Sequence, residues 1–167
     1  MTASVPSKPP KAQTTNQTSK VLEEKWGKQA IEAGFTVLPD VLFRNQTALK
    51  LKPLDMLILL HLASYWWNPK ENPWPGKTRL ANGIGVDPRT VQRAIKKMEE
   101  LGYVTRILRK AKAGDNLTNQ YDLKGLKAVL KGLAEAELRI RAARTAQDTA
   151  RQATPTAFSL IEGGKKN

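Results

Sequence analysis

Between Lys77 and Tyr103 apolar residues recur at helical spacing in two consecutive blocks. The first, KTRLANGI, sets Leu80, Ala81 and Ile84 on one face of a short helix. Gly83 and Gly85 then lower helix propensity, and glycine at the turn can take the positive φ that a sharp reversal needs. Asp87-Pro88 restarts the helix, because the aspartate accepts from free N–H groups of the first turn and proline at its first position lacks the N–H that would go unpaired. In the second block Val91, Ala94, Ile95, Met98 and Leu101 form a core-facing stripe. Arg89, Gln92, Arg93, Lys96 and Lys97 are left outside.

The same periodicity places the other elements. Residues 1–20, rich in Thr, Ser, Pro and Lys, predict a disordered basic arm with almost nothing to bury. Val21 to Ala33 predicts a helix with Leu22, Trp26, Ala30 and Ala33 on one side, followed by packing residues Phe35, Val37, Leu38, Val41, Leu42 and Phe43. Lys52 to Trp67 begins with Pro53 and Asp55 and is apolar on nearly every side, the pattern of a central buried helix. His61 lies inside that helix with no cluster of ligands around it, so a core or partly buried imidazole is expected. Tyr65, Trp66, Trp67 and Trp74 are expected as core packing. After Gly102 the period changes to two: YVTRILRK predicts a strand, AKAGDNLTN a polar turn and QYDL a returning strand. From 124 to 153 a proline-free run carries Leu126, Val129, Leu133, Ala136, Ile140, Ala143, Gln147 and Ala150 at alternating steps of three and four, a heptad seam. Residues 154–167 complete the chain as a flexible tail.

The fold class implied is mainly α with a small β-hairpin: a winged helix-turn-helix over 21–123, with the hairpin as the wing, and a long C-terminal helix over 124–153. A helix whose outer face carries Arg, Gln and Lys has the chemistry to read a major groove, since arginine bonds guanine and glutamine adenine bidentately while lysines neutralise phosphates. In the wing, Arg106, Arg109, Lys110 and Lys112 are placed to approach sugar-phosphate or the adjacent minor groove. The seam of the last helix is too long to bury itself, which predicts a homodimer through that helix.

Charge sharpens this picture. The chain has 167 residues and a formal net charge of +13, so polyanions will concentrate near it. Lys77 to Lys112 holds ten basic residues against three acidic ones, an excess of seven. Lys77, Arg79 and Lys97 join the wing residues as expected phosphate contacts. The absence of cysteine excludes disulfides and thiolate chemistry. No phosphate-cradling glycine loop, carboxylate cluster or nucleophile beside a base appears, so no enzyme, metal or other cofactor is expected. With no apolar signal core and no run of about 18 apolar residues, the expectation is a cytoplasmic bacterial protein without a membrane partner.

The segments GFTVLPDVLFRNQTALKLKPLD, LLHLASYWW, PWPGKTRLANGIGVDPRTVQRAIKKMEELGYV and NQYDL resemble the winged helix-turn-helix proteins of bacterial plasmids, phages and integrated mobile elements, of replication-initiation or regulatory type. The resemblance covers about Gly34 to Leu123. It implies duplex DNA binding with Arg89, Thr90, Gln92, Arg93 and Lys96 on the reading helix. The sequence departs at Gly76, where such proteins often carry a capping serine. Two roles use this chemistry: a transcriptional regulator on an operator, or a replication, partition or maintenance factor at an origin-like repeat, with other regulatory or replication proteins as further partners.

Overall fold

The computed structural model describes residues 16–109 and 118–153. Its elements are α1 (Asn16–Trp26), α2 (Lys28–Ala33), α3 (Asp40–Arg44), α4 (Pro53–Ser64), α5 (Lys77–Ile84), α6 (Pro88–Glu100), β1 (Thr105–Ile107), β2 (Gln120–Asp122) and α7 (Lys124–Ala153). The strands form an antiparallel pair with Thr105 opposite Asp122, Arg106 opposite Tyr121 and Ile107 opposite Gln120. This is the winged helix-turn-helix architecture: a mostly helical domain, a two-stranded wing and a long C-terminal helix. The chain divides into two compact units after Leu130, so α7 starts in the first and continues as the second.

α4 lies at the centre of the first unit. Ile58, Leu59 and Leu62 are fully buried, and Leu42, Leu80, Val91, Ile95, Met98 and Val104 complete the innermost core. Tyr121, Leu123, Leu126 and Leu130 are buried as well. The start of α4 is fixed by Asp55, whose carboxylate accepts the Lys52 N–H at 2.8 Å. That carboxylate is buried and takes its counterion from across the fold, the Lys97 ammonium of α6. Lys97 also donates to the Lys50 carbonyl at 2.8 Å, and the Tyr103 hydroxyl donates to the Leu49 carbonyl at 3.1 Å. α6 and the turn after it therefore clasp the segment leading into α4.

The first turn of α7 is set directly against the turn that ends α6. The Leu126 N–H donates to the Tyr103 carbonyl at 3.0 Å, and a Cβ added at Gly125 would lie 1.8 Å from the Gly102 carbonyl oxygen. Only a residue without a side chain allows this approach.

Several expectations are corrected. Helix begins at Asn16, inside the stretch assigned to the disordered arm, while residues 1–15 and 154–167 lie outside the described residues. The helix expected from Val21 to Ala33 is two helices, interrupted at Gly27, and its apolar face is not buried: Trp26 is 72% exposed. Phe35, Val37 and Phe43 are also exposed, leaving Val41 and Leu42 to make the packing contact. The strands are three residues each, because Tyr103 and Val104, consecutive in sequence, are both buried in the turn before β1. On α7 the buried residues are Leu126 and Leu130, whereas Val129, placed on the seam by its spacing, is exposed. Trp67 and Trp74 are 40% exposed, so they are not core residues. His61 is half-buried against Gly83, where an added Cβ would approach its ring to 3.1 Å.

Gly125→Ala is expected to destabilise the domain by about 2–4 kcal/mol, a fall in melting temperature of roughly 10–20 °C, because the obstructing atom is backbone and cannot rotate away. An unchanged melting temperature would show that α7 does not enter the domain this way.

Candidate nucleic-acid interface

The turn between α5 and α6 is built from Gly85, at φ 79° and ψ 35°, whose N–H donates to the Ala81 carbonyl at 2.8 Å. A side chain in that left-handed region costs about 1–2 kcal/mol, which accounts for glycine there. Asp87 then caps α6: its Oδ1 accepts the Arg89 N–H at 2.7 Å, and Pro88 occupies the first position. The departure at Gly76 has a visible effect, since α5 begins without a side-chain cap.

Within α6, Val91, Ala94, Ile95 and Met98 are buried, and their phase turns Arg89, Gln92, Arg93 and Lys96 to solvent, with Thr90 half-buried beside them. No described residue forms an ion pair with Arg89 or Arg93. Lys96 lies 3.9 Å from Glu100 in an exposed i,i+4 pair, an interaction worth about 0.3–0.5 kcal/mol. It is easily exchanged for a phosphate.

The expected anchoring residues divide into groups. Lys77 and Arg79 on α5 are exposed, with the Arg79 guanidinium 6.0 Å from the Tyr65 ring centroid. Lys97 is not presented as a free cation, since Asp55 and the Lys50 carbonyl hold its ammonium. Arg106 is likewise engaged: its guanidinium meets Glu99 at 3.0 Å and its backbone N–H donates to the same carboxylate at 3.1 Å, tying β1 to the last turns of α6. Arg109 stacks over Trp74, 5.2 Å from the ring centroid. The Tyr121 N–H bonds the Pro73 carbonyl at 2.9 Å, so the loop before α5 runs beside β2 and braces the wing. Lys110 and Lys112 lie outside the described residues.

Sequence reasoning missed these braces. The pairing of Asp55 with Lys97 spans 42 residues and left no local signal. Glu99 sat among basic residues, seven positions from Arg106, and a carboxylate in such a run is a natural internal partner. Burial pushes the Tyr121 phenol above its ordinary 10.0; the Arg106 guanidinium opposes the shift and Glu99 reinforces it.

Residues 49–104, about a third of the chain, match the family model of a helix-turn-helix domain. The matched stretch spans α4 to the approach to β1 and includes the helix-turn-helix formed by α5 and α6. No curated protein matches the chain significantly. Among solved structures it is similar to the N-terminal domain of the DnaD protein from Geobacillus kaustophilus HTA426, with 18% identity, 74% of this chain and 96% of that chain covered, and a TM-score of 0.49. It is also similar to a possible transcriptional regulator from Methanosarcina mazei Go1, at 21% identity, coverages of 67% and 85% and a TM-score of 0.40. A third similarity is to the multiple antibiotic-resistance repressor MarR from Listeria monocytogenes 4b F2365, at 16% identity, coverages of 83% and 99% and a TM-score of 0.34. No helix among the described residues is long and apolar enough to cross a membrane.

The raised Tyr121 value has a definite consequence for stability. The folded state keeps the phenolic proton after the unfolded chain has lost it, so this contribution is fully present below pH 10.0 and declines as pH rises through the folded value. Melting temperature should therefore fall above pH 10.0, and Tyr121→Phe should remove part of that fall. Identical pH profiles for the two proteins would contradict it.

Proposed function

We propose that this protein binds duplex DNA in a sequence-specific manner and acts as a transcriptional regulator by occupying an operator. α6 enters the major groove, Arg89, Gln92, Arg93 and Lys96 face base edges, and Thr90 contacts base or backbone at the groove wall. Lys77 and Arg79 on α5 and Lys110 and Lys112 in the wing neutralise phosphates, while Arg109 approaches the backbone from its stacked position. Lys97 and Arg106 act indirectly by holding α6 and β1 in place. Two copies joined through α7 engage a site with two-fold symmetry.

The observation that carries this reading is the outer face of α6, where two arginines with no described ion-pair partner and a glutamine stand exposed between a capped N-terminus and a buried apolar stripe. Bidentate Arg–guanine and Gln–adenine contacts contribute about 1–3 kcal/mol of discrimination each, enough for a short helix to select a site.

Selection from random duplexes followed by binding titrations tests the proposal. A defined motif should emerge, and log K should fall with log[salt] by about 0.9 per neutralised phosphate. Arg93→Ala should weaken the selected site by about 1–3 kcal/mol and relax base preference, whereas Lys77→Ala should weaken all sequences alike and flatten the salt slope. Undetectable affinity for duplex DNA at low salt would overturn the proposal. A footprint over a promoter marks the regulator, and footprints on arrayed origin repeats would mark a replication or partition factor instead.

A further inference from the structure

Along α7 two different faces follow one another. The phase that buries Leu126 and Leu130 is continued by Glu137, Arg141, Arg144 and Asp148, so that edge turns from apolar to charged. Roughly 80–90° round the helix, at 100° per residue, runs a separate row: Leu133, Ala136, Ile140, Ala143, Gln147 and Ala150. Ile140 is 55% exposed, and the residues of this row beyond Leu133 all face solvent. Their alternating steps of three and four are those of a helix seam whose natural cover is a second helix.

We infer that this row is covered by α7 of a second copy running antiparallel to the first. The inference rests on the homodimer proposed above and specifies its geometry. In the row, the large residues Leu133 and Ile140 and the polar Gln147 share one heptad position, and Ala136, Ala143 and Ala150 share the other. A parallel pair sets like positions together, so alanine meets alanine in alternate layers and leaves gaps there. An antiparallel pair sets each bulky residue against an alanine, and every layer fills evenly.

The flanking charges discriminate in the same direction. In a parallel pair Arg139 of one copy comes beside Arg144 of the other, a repulsive contact repeated on both sides of the interface. In an antiparallel pair whose two-fold axis lies between Ile140 and Ala143, the register that sets Leu133 against Ala150, Ala136 against Gln147 and Ile140 against Ala143, Glu137 of each copy comes beside Arg144 of the other. The axis makes this favourable contact twice.

The full-length chain has no cysteine, so single spin labels can be placed at Lys131→Cys and at Thr149→Cys, both on the side of α7 away from the row. With the axis between Ile140 and Ala143, equivalent labels lie roughly 30 Å apart along the helix direction at position 131 and roughly 20 Å apart at position 149, while Lys131 of one copy and Thr149 of the other are offset by only about 5 Å. Mixed samples should give a shorter distance than either protein alone. The reverse order, same-position pairs shorter than mixed pairs, would establish a parallel pair and overturn the inference while leaving the dimer standing. A monomer in sedimentation at micromolar concentration would remove both. Glu137→Arg should weaken self-association at least about tenfold and adding Arg144→Glu should restore it, and failure of the double variant to recover would also count against the antiparallel arrangement. DNA affinity measured on the same samples reports the reading helix separately, so its loss or survival is distinguishable from the fate of the α7 pair.

Discussion

The burial of four side chains decides what α6 can do. Val91, Ala94, Ile95 and Met98 are 0%, 7%, 2% and 0% exposed, and together they fix the rotation of the helix about its own axis. Burial of a Val, Ile or Met side chain stabilises by about 1.5–3 kcal/mol, so turning α6 to hide its arginines would forfeit on the order of 5 kcal/mol or more. That is comparable with the whole stability of a small domain, about 5–15 kcal/mol. The exposed position of Arg89, Gln92 and Arg93 is therefore a consequence of the core, and any molecule that approaches this face meets cations and an amide held on a rigid element.

Cationic residues serve two purposes in this chain, and burial separates them. Lys97 and Arg106 are bound to carboxylates, Asp55 and Glu99, and brace α6 against α4 and β1 against α6. The buried Asp55 carboxylate would be expensive without a counterion, since an uncompensated buried charge costs several kcal/mol. Arg89 and Arg93 have no such internal obligation among the described residues. A count of basic residues along the sequence treats the two groups alike, whereas the fold engages one with carboxylates and leaves the other exposed on the outer face of α6.

The helix-turn-helix was legible because its signals are local. The apolar stripe of α6, the Asp87-Pro88 start and the turn glycine each act within a few residues, and the structure has all of them. The central helix was equally plain from its run of leucines. What escaped were features set by distant parts of the chain: the Asp55–Lys97 pair, the stacking of Arg109 on Trp74, and the approach of Gly125 to Gly102. The register of α7 was read one position away from the buried residue because a heptad seam and a domain-facing edge share Leu126, and spacing alone does not say which neighbour packs inward. The apolar residues near the N-terminus misled for the opposite reason, since hydrophobicity at Trp26 and Val37 marks a preference that this fold does not satisfy.

The most direct test follows backbone amide resonances as a selected duplex is added to the full-length protein. On the present account the largest changes fall on residues 88–97, with a second set in the wing and at the start of α5, and the amides of α1 and α2 stay in place. Changes confined to α1, α2 or the distal half of α7, with α6 unmoved, would contradict it.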